Sequence, residues 1–171
     1  MTSEIAIGSR VRKSPYYEAT ISHGVEQFSI YNHMYMPTSY GNPDVEYEAL
    51  TEKVSIWDVG CERQVEIVGP DALELVEYLS TRGMRSCEEG RSRYTPICDH
   101  QGILINDPIT LCLREDRYWV SIADGDLLLW AQAVSSERNL NCSVFEPEVS
   151  PLAVQGPKAD QTMVDLLGDW V

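Results

Sequence analysis

At 171 residues and 43% hydrophobic content, the chain is long enough to bury one real core and reads as globular, not disordered. Twenty-seven acidic residues against thirteen basic ones give a formal charge of -14, which repels phosphate backbones and anionic lipid and argues against a nucleic-acid or membrane partner. The same excess also suits a plain solvated surface, so acidity alone names no substrate.

In chain order, Arg10, Arg12 and Lys13 stand before Ser14-Pro15 and make residues 1–20 a basic arm expected to lie over the domain's own carboxylates, with residues 21–171 as the folded region. Neither Met1–Arg12 nor any later run has the apolar core of a signal peptide or the roughly 18 apolar residues of a membrane span, which predicts a cytoplasmic chain. Val25–Tyr31 alternates as a short strand, and Asn32-His33-Met34-Tyr35-Met36-Pro37 reads as a loop rich in pocket-lining side chains. A helix is predicted over Asp44–Val54. Val65–Val68 predicts a strand stopped by Gly69-Pro70, then a helix over Asp71–Leu79 in which Ala72, Leu75, Val76 and Leu79 share one stripe.

Strands are predicted over Tyr94–Cys98, Ile105–Leu113 and Tyr118–Ala123, close enough in sequence for antiparallel hairpins. Asp124–Ser135 reads as a helix with an Asp available to cap it, and Cys142–Phe145 and Leu152–Gln155 as strands about a Glu146-Pro147 bend. A last helix begins at Pro157 and is capped by Gly168. Val68-Gly69-Pro70-Asp71-Ala72 recurs as Gln155-Gly156-Pro157-Lys158-Ala159, each between a strand and an amphipathic helix. Glycine leaves the strand conformation freely and proline opens a helix without losing a hydrogen bond. Related units or coincidence both explain two copies. The expected fold is α+β, a mixed, mostly antiparallel sheet with packed helices.

The chain has no GxGxxG, no Walker loop and no nucleophile elbow. His23, His33 and His100 lack ligand-spaced partners, so no metal site is expected. The five cysteines show no CxxC spacing and read as reduced thiols. Asp107 stands out, beside Asn106 and before Pro108, where the chain must leave regular ladder bonding. It is either half of a turn-forming Asn-Asp pair or a carboxylate kept for chemistry, and spacing leaves both open. Asp58, after Trp57, shares that ambiguity.

Taken together, Ser55-Ile56-Trp57-Asp58-Val59, the two Gly-Pro turns, Arg93-Tyr94-Thr95 and Gly102–Asp107 resemble, in order, the glycine cleavage T-protein superfamily of folate-binding aminomethyltransferases and their relatives. Members of that family are much longer, with domains around a folate channel. The resemblance therefore implies an N-terminal half only, either a fragment or a chain completed by a second, C-terminal one, with homo-oligomerisation open and no activity expected alone. The family's Gly-Tyr-Thr-Gly-Glu-type segment, whose Glu helps hold the pterin, does not occur here, and the apolar end at Trp170-Val171 fits an interrupted polypeptide. Typical aminomethyltransferases have Asp-Asp where this chain has Asn106-Asp107, and Asn where Ile122 falls. Those departures, with Tyr31-Asn32-His33-Met34 and Asn106-Asp107-Pro108, resemble the dimethylsulfoniopropionate demethylase branch instead.

What the resemblance implies is tetrahydrofolate as cofactor and a small-molecule sulfonium as methyl donor, giving methyl-tetrahydrofolate and methylmercaptopropionate. It makes Asp107 the catalytic residue and gives Tyr94, Asn106 and Asp107 the folate side. Tyr94 also reads as a core tyrosine. Tyr31, Met34, Tyr35 and Trp57 offer rings and sulfur to enclose a sulfonium, or simply pack. The alternatives within the superfamily are an aminomethyltransferase or related folate-dependent demethylase, and a non-catalytic folate-binding protein.

Overall fold

A computed structural model of the chain describes residues 7–171. These fall into two compact units, one of residues 7–61 with 150–171 and one of residues 62–149. Part of the basic arm lies outside the described residues. Its described part is stitched down, since Arg12 exchanges backbone bonds with His33 (2.7 Å) and Tyr35 (3.0 Å), and Lys13 lies 4.1 Å from the Tyr17 ring centre.

The first unit opens with a helix the sequence did not announce, α1 (Tyr17–Ser22), six residues long with only Thr20 buried and therefore without an apolar stripe. β1 (Gln27–Tyr31) and β2 (Met34–Ser39) form an antiparallel hairpin in which Tyr31 pairs with Met34. The expected loop over residues 32–37 is thus a strand from Met34 onward. Only Asn32 and His33 turn, both left-handed at φ 47 and 59, the twist that two-residue hairpins require and that Asn tolerates best. Asn32 Nδ2 donates to Cys61 O at 3.0 Å and fixes the turn from outside. α2 (Pro43–Glu52) has Asn42 at its cap, accepting from Val45 N at 3.2 Å, and proline in its first turn. β3 (Ser55–Asp58) follows.

The second unit runs β4 (Gln64–Val68), α3 (Ala72–Leu79), β5 (Ser92–Tyr94), β6 (Ile97–Cys98), β7 (Leu104–Asn106), β8 (Ile109–Arg114), β9 (Arg117–Ser121), α4 (Leu127–Glu137) and β10 (Ser143–Phe145). Its sheet has the order β10-β4-β9-β8-β5, antiparallel throughout. Leaving out β5 to β7, the chain order β4-α3-β8-β9-α4-β10 with that neighbour order is the split β-α-β arrangement of ferredoxin-like folds. Val65, Ile67, Tyr118, Val120 and Cys112 point to one face and pack on Ala72, Leu75, Val76 and Leu79 of α3 and Leu127, Ala131 and Val134 of α4, the stripe the periodicity predicted for α3. The opposite face carries the row Gln64, Ser121, Ile109, Tyr94. The α4 helix begins later than expected, at Leu127, because Asp124-Gly125-Asp126 forms a loop with Gly125 at φ 153.

β11 (Leu152–Gln155) then pairs antiparallel with β3 and completes the first unit, followed by α5 (Ala159–Leu167) and Gly168 at φ 93. The sequence echo is a structural one. Gly69 and Gly156 stand at φ 137 and 118, and their carbonyls accept from Ala72 N and Ala159 N at 3.0 Å each. Pro157 lies in this turn and the helix starts two residues after it. The five cysteines are free, and no described helix is long and apolar enough to cross a membrane. The whole is mixed α and β with antiparallel sheets.

Candidate functional site

Two proline-bearing breaks, facing one another, build the site. The sequence predicts continuous strands over Tyr94–Cys98 and Ile105–Leu113. In the structure each is cut, at Thr95-Pro96 and at Asp107-Pro108, so that β5 pairs with β8 in the large sheet while β6 pairs with β7 in a ladder of two. Proline has no N–H for a central ladder, and two such residues on opposed chains end both ladders together. Between the breaks, Thr95 N donates to Pro108 O at 2.9 Å. Beneath them the Thr95 and Thr110 hydroxyls, both fully buried, meet at 2.6 Å.

Asp107 is left outside any ladder with its carboxylate exposed. Tyr94 Oη donates to Asp107 Oδ2 at 3.3 Å. Partial burial and then the neighbouring Asp107 charge push the Tyr94 phenol above its ordinary pKa, so it keeps its proton as a donor. Asn106, one residue earlier, is buried, and both ends of its amide are committed to one backbone unit: Nδ2 donates to Ala123 O and Oδ1 accepts from Ala123 N, each at 3.0 Å. Gly125 passes over this clamp, where a Cβ would stand 3.2 Å from Asn106 Nδ2. The loop after β9 is thereby tied to the strand break that carries Asp107.

The predicted folate-side residues Tyr94, Asn106 and Asp107 are thus brought together within the second unit. The four aromatic and sulfur candidates lie in the first unit. Met34 is buried. Tyr35 packs with Tyr17 and Phe28, with ring centres 5.5 and 5.7 Å away. Tyr31 is half-buried at the hairpin end, and Trp57 is exposed along a cleft lined by α2 and β3. Sequence reasoning missed Thr95, Thr110 and Gly125, which shape the break without touching solvent chemistry. The matched prolines at 96 and 108 were the available signal.

The GCVT N-terminal domain family matches residues 16–170. The chain belongs to the glycine cleavage T-protein family. Among its relatives is the dimethylsulfoniopropionate demethylase DmdA of Ruegeria pomeroyi, 43% identical over 162 residues, which takes in 95% of this chain and 44% of that protein. An aminomethyltransferase of Symbiobacterium thermophilum is 27% identical over 162 residues, 91% of this chain and 43% of its own length. The crystal structure of the glycine cleavage system aminomethyltransferase T from Bartonella henselae superposes with a TM-score of 0.79 at 23% identity, over 91% of this chain and 43% of that one, and shows the fold to be that of the T-protein family. The chain spans less than half the length of these relatives.

Proposed function

We propose that the chain carries the methyl-acceptor side of a tetrahydrofolate-dependent demethylase acting on dimethylsulfoniopropionate. The observation that carries the reading is the exposed Asp107 carboxylate. Its Oδ2 is held by the Tyr94 hydroxyl, and its Oδ1 has no hydrogen-bond partner among the described residues. The 43% identity to the Ruegeria pomeroyi demethylase, against 27% to the Symbiobacterium thermophilum aminomethyltransferase, supports a sulfonium donor over an aminomethyl one.

The residues present suit a pterin. Tyr94 and Ile109, each more than two-fifths exposed, give a flat apolar strip, and Asp107 adds an acceptor beside it for ring N–H groups. Tetrahydrofolate supplies the ring nitrogen to which the methyl is transferred. The sulfonium is already activated, since its sulfur keeps the bonding pair and departs as a neutral thioether, so the protein's work is alignment and charge balance. In this reading Asp107 Oδ1 takes the proton that the acceptor nitrogen would shed and passes it to solvent. Tyr94 fixes the orientation of the carboxylate, and Asn106 fixes the backbone that presents it. Asn106 acts here as a positioning residue.

A chimera tests the reading. Residues 16–170 replace the matching region of the Ruegeria pomeroyi demethylase, and methyl-tetrahydrofolate formed from dimethylsulfoniopropionate is followed by chromatography. Turnover is expected, and Asp107→Asn in the chimera should lower kcat by about 100-fold or more. A folded chimera that turns over normally with Asp107→Asn would refute the assignment.

A further inference from the structure

A second feature lies in the first unit. Between β2, α2 and β3 lies a cleft of about 490 Å³, within the range of small-molecule sites. Three rings border it, Tyr40, Tyr47 and Trp57, and they are 40%, 68% and 44% exposed. Two carboxylates, Glu46 and Asp58, join them, and among the described residues no basic side chain does.

Both carboxylates are fixed in place. Glu46 Oε1 accepts from Tyr40 N at 2.9 Å and from Ser39 Oγ at 3.4 Å. Asp58 is buried, with Oδ2 accepting from Ser14 Oγ at 2.5 Å and Oδ1 from Gly60 N at 3.1 Å. Among the described residues neither has a basic partner, so two negative charges are held beside aromatic faces with nothing to neutralise them. Their field reaches the cleft: burial first, then Asp58 and Glu46, raise the Tyr40 phenol above its ordinary pKa. Ser55 Oγ, in the same wall, is buried and unpartnered.

Aromatic faces attract a cation through the ring quadrupole, most strongly when the cation is weakly hydrated. Fixed carboxylates add attraction at no cost in side-chain ordering. A wall without lysine or arginine gives nothing to an anionic group on the same ligand, and Glu46 and Asp58 repel it. We infer that this cleft binds a small organic cation of the quaternary-ammonium class that carries no carboxylate of its own. The volume leaves room for a short neutral chain beyond the cationic head. The preference runs against a zwitterion such as dimethylsulfoniopropionate, so the cleft is a site apart from the methyl donor's. The inference does not rest on the reading of Asp107.

The test is a nuclear magnetic resonance titration of the 171-residue chain with tetramethylammonium, choline, glycine betaine and neutral tert-butanol. Saturable shifts are expected at the amides of Tyr40, Tyr47 and Trp57 and at the Trp57 indole for the two simple cations. Glycine betaine should bind about tenfold more weakly or worse. Glu46→Gln keeps the acceptor for Tyr40 N and removes only charge, and should weaken tetramethylammonium by about 3-fold or more. Trp57→Leu should weaken it by about 3- to 30-fold. Absence of saturable shifts with the cations overturns the inference. So does tert-butanol or glycine betaine binding as tightly as tetramethylammonium, or Glu46→Gln leaving the affinity unchanged while its spectrum stays folded.

Discussion

Tyr94 Oη and Asp107 Oδ2 stand 3.3 Å apart on opposed chains at the same proline-interrupted point of two ladders. The phenol is raised above 10.0 by burial and by the Asp107 charge. A folded-state pKa raised above the unfolded one favours folding while the phenol is protonated, and that contribution is lost as pH rises through the folded value. Asp107→Asn removes the charge, so the Tyr94 midpoint should move down toward its ordinary value. Alkaline absorbance titration of the parent and of Asp107→Asn, each minus its Tyr94→Phe counterpart, isolates this one tyrosine among nine. An unchanged midpoint would mean that the pair does not form in solution.

Asn106 is expected to matter for stability before it matters for chemistry. Asn106→Ala strands the N–H and C=O of Ala123, which the amide now satisfies at 3.0 Å each. Ala123 is half-buried, so each of its backbone groups left without a partner costs about 1–2 kcal/mol, the lower part of the range for buried groups. The substitution should therefore destabilise by about 2–4 kcal/mol in urea unfolding and speed hydrogen exchange at the Ala123 amide. A loss below about 0.5 kcal/mol, the size of an ordinary surface change, would show that the clamp contributes little.

Much of this architecture could be read from local chemistry. The stripe Ala72, Leu75, Val76, Leu79 meets the core as its spacing requires, and both Gly-Pro turns end strands and precede helices. The α+β class followed from those units. What stayed hidden was set by pairing over distance. Residues 32–37 read as a loop rich in pocket-lining side chains, yet from Met34 onward the chain pairs with β1, and a two-residue turn fixes the register. The strand breaks at Pro96 and Pro108 are each unremarkable alone and become a site only because the register sets them opposite one another. Asp107 was legible only as a carboxylate that could serve a turn or be kept for chemistry, and spacing did not decide between the two. Its partner Tyr94, thirteen residues away, was named through family resemblance and not through spacing. The aromatic candidates show the converse limit, since composition cannot say that Tyr35 is spent on Tyr17 and Phe28 while Trp57 is not.

The repeated turn makes a quantitative prediction. A Cβ on Gly69 would stand 2.7 Å from Asn141 O and 2.9 Å from Cys142 Cα, and one on Gly156 would stand 2.7 Å from Lys53 O and 3.0 Å from Leu50 O. Backbone cannot step aside as a flexible side chain can. Gly69→Ala and Gly156→Ala should each cost about 2–4 kcal/mol, the left-handed strain plus the clash. Gly102→Ala is the control, at φ 83 with nothing within 4 Å of its Cβ, and should cost only the conformational part, about 1–2 kcal/mol. Thermal or urea unfolding of the three variants decides. Equal losses at all three positions would show that close backbone approach adds nothing to the strain.

Glu66 gives the acid limb of the stability curve a specific owner. It is buried in the middle of the sheet, where Arg117 Nε and Nη2 donate to it at 2.7 and 3.0 Å and Trp119 Nε1 donates at 2.7 Å. Burial pulls its pKa upward, but the hydrogen bonds from Arg117 and Trp119, with the arginine charge, outweigh burial and hold the carboxyl below its usual 4.5. A depressed folded-state pKa contributes stability above the unfolded value and loses it as pH falls through the folded value. The contribution is therefore whole at pH 7 and declines below 4.5. Glu66→Gln keeps one acceptor and the volume but turns an N–H toward the remaining donors. With the Arg117 side chain 38% exposed, screening holds the expected loss at pH 7 to about 1–2 kcal/mol. Urea unfolding of parent and variant across the acid range should show the two stabilities converging as the carboxylate takes up its proton. A gap that stays constant down to the acid transition would mean that the loss comes from packing and that the ion pair with Arg117 adds no net stability.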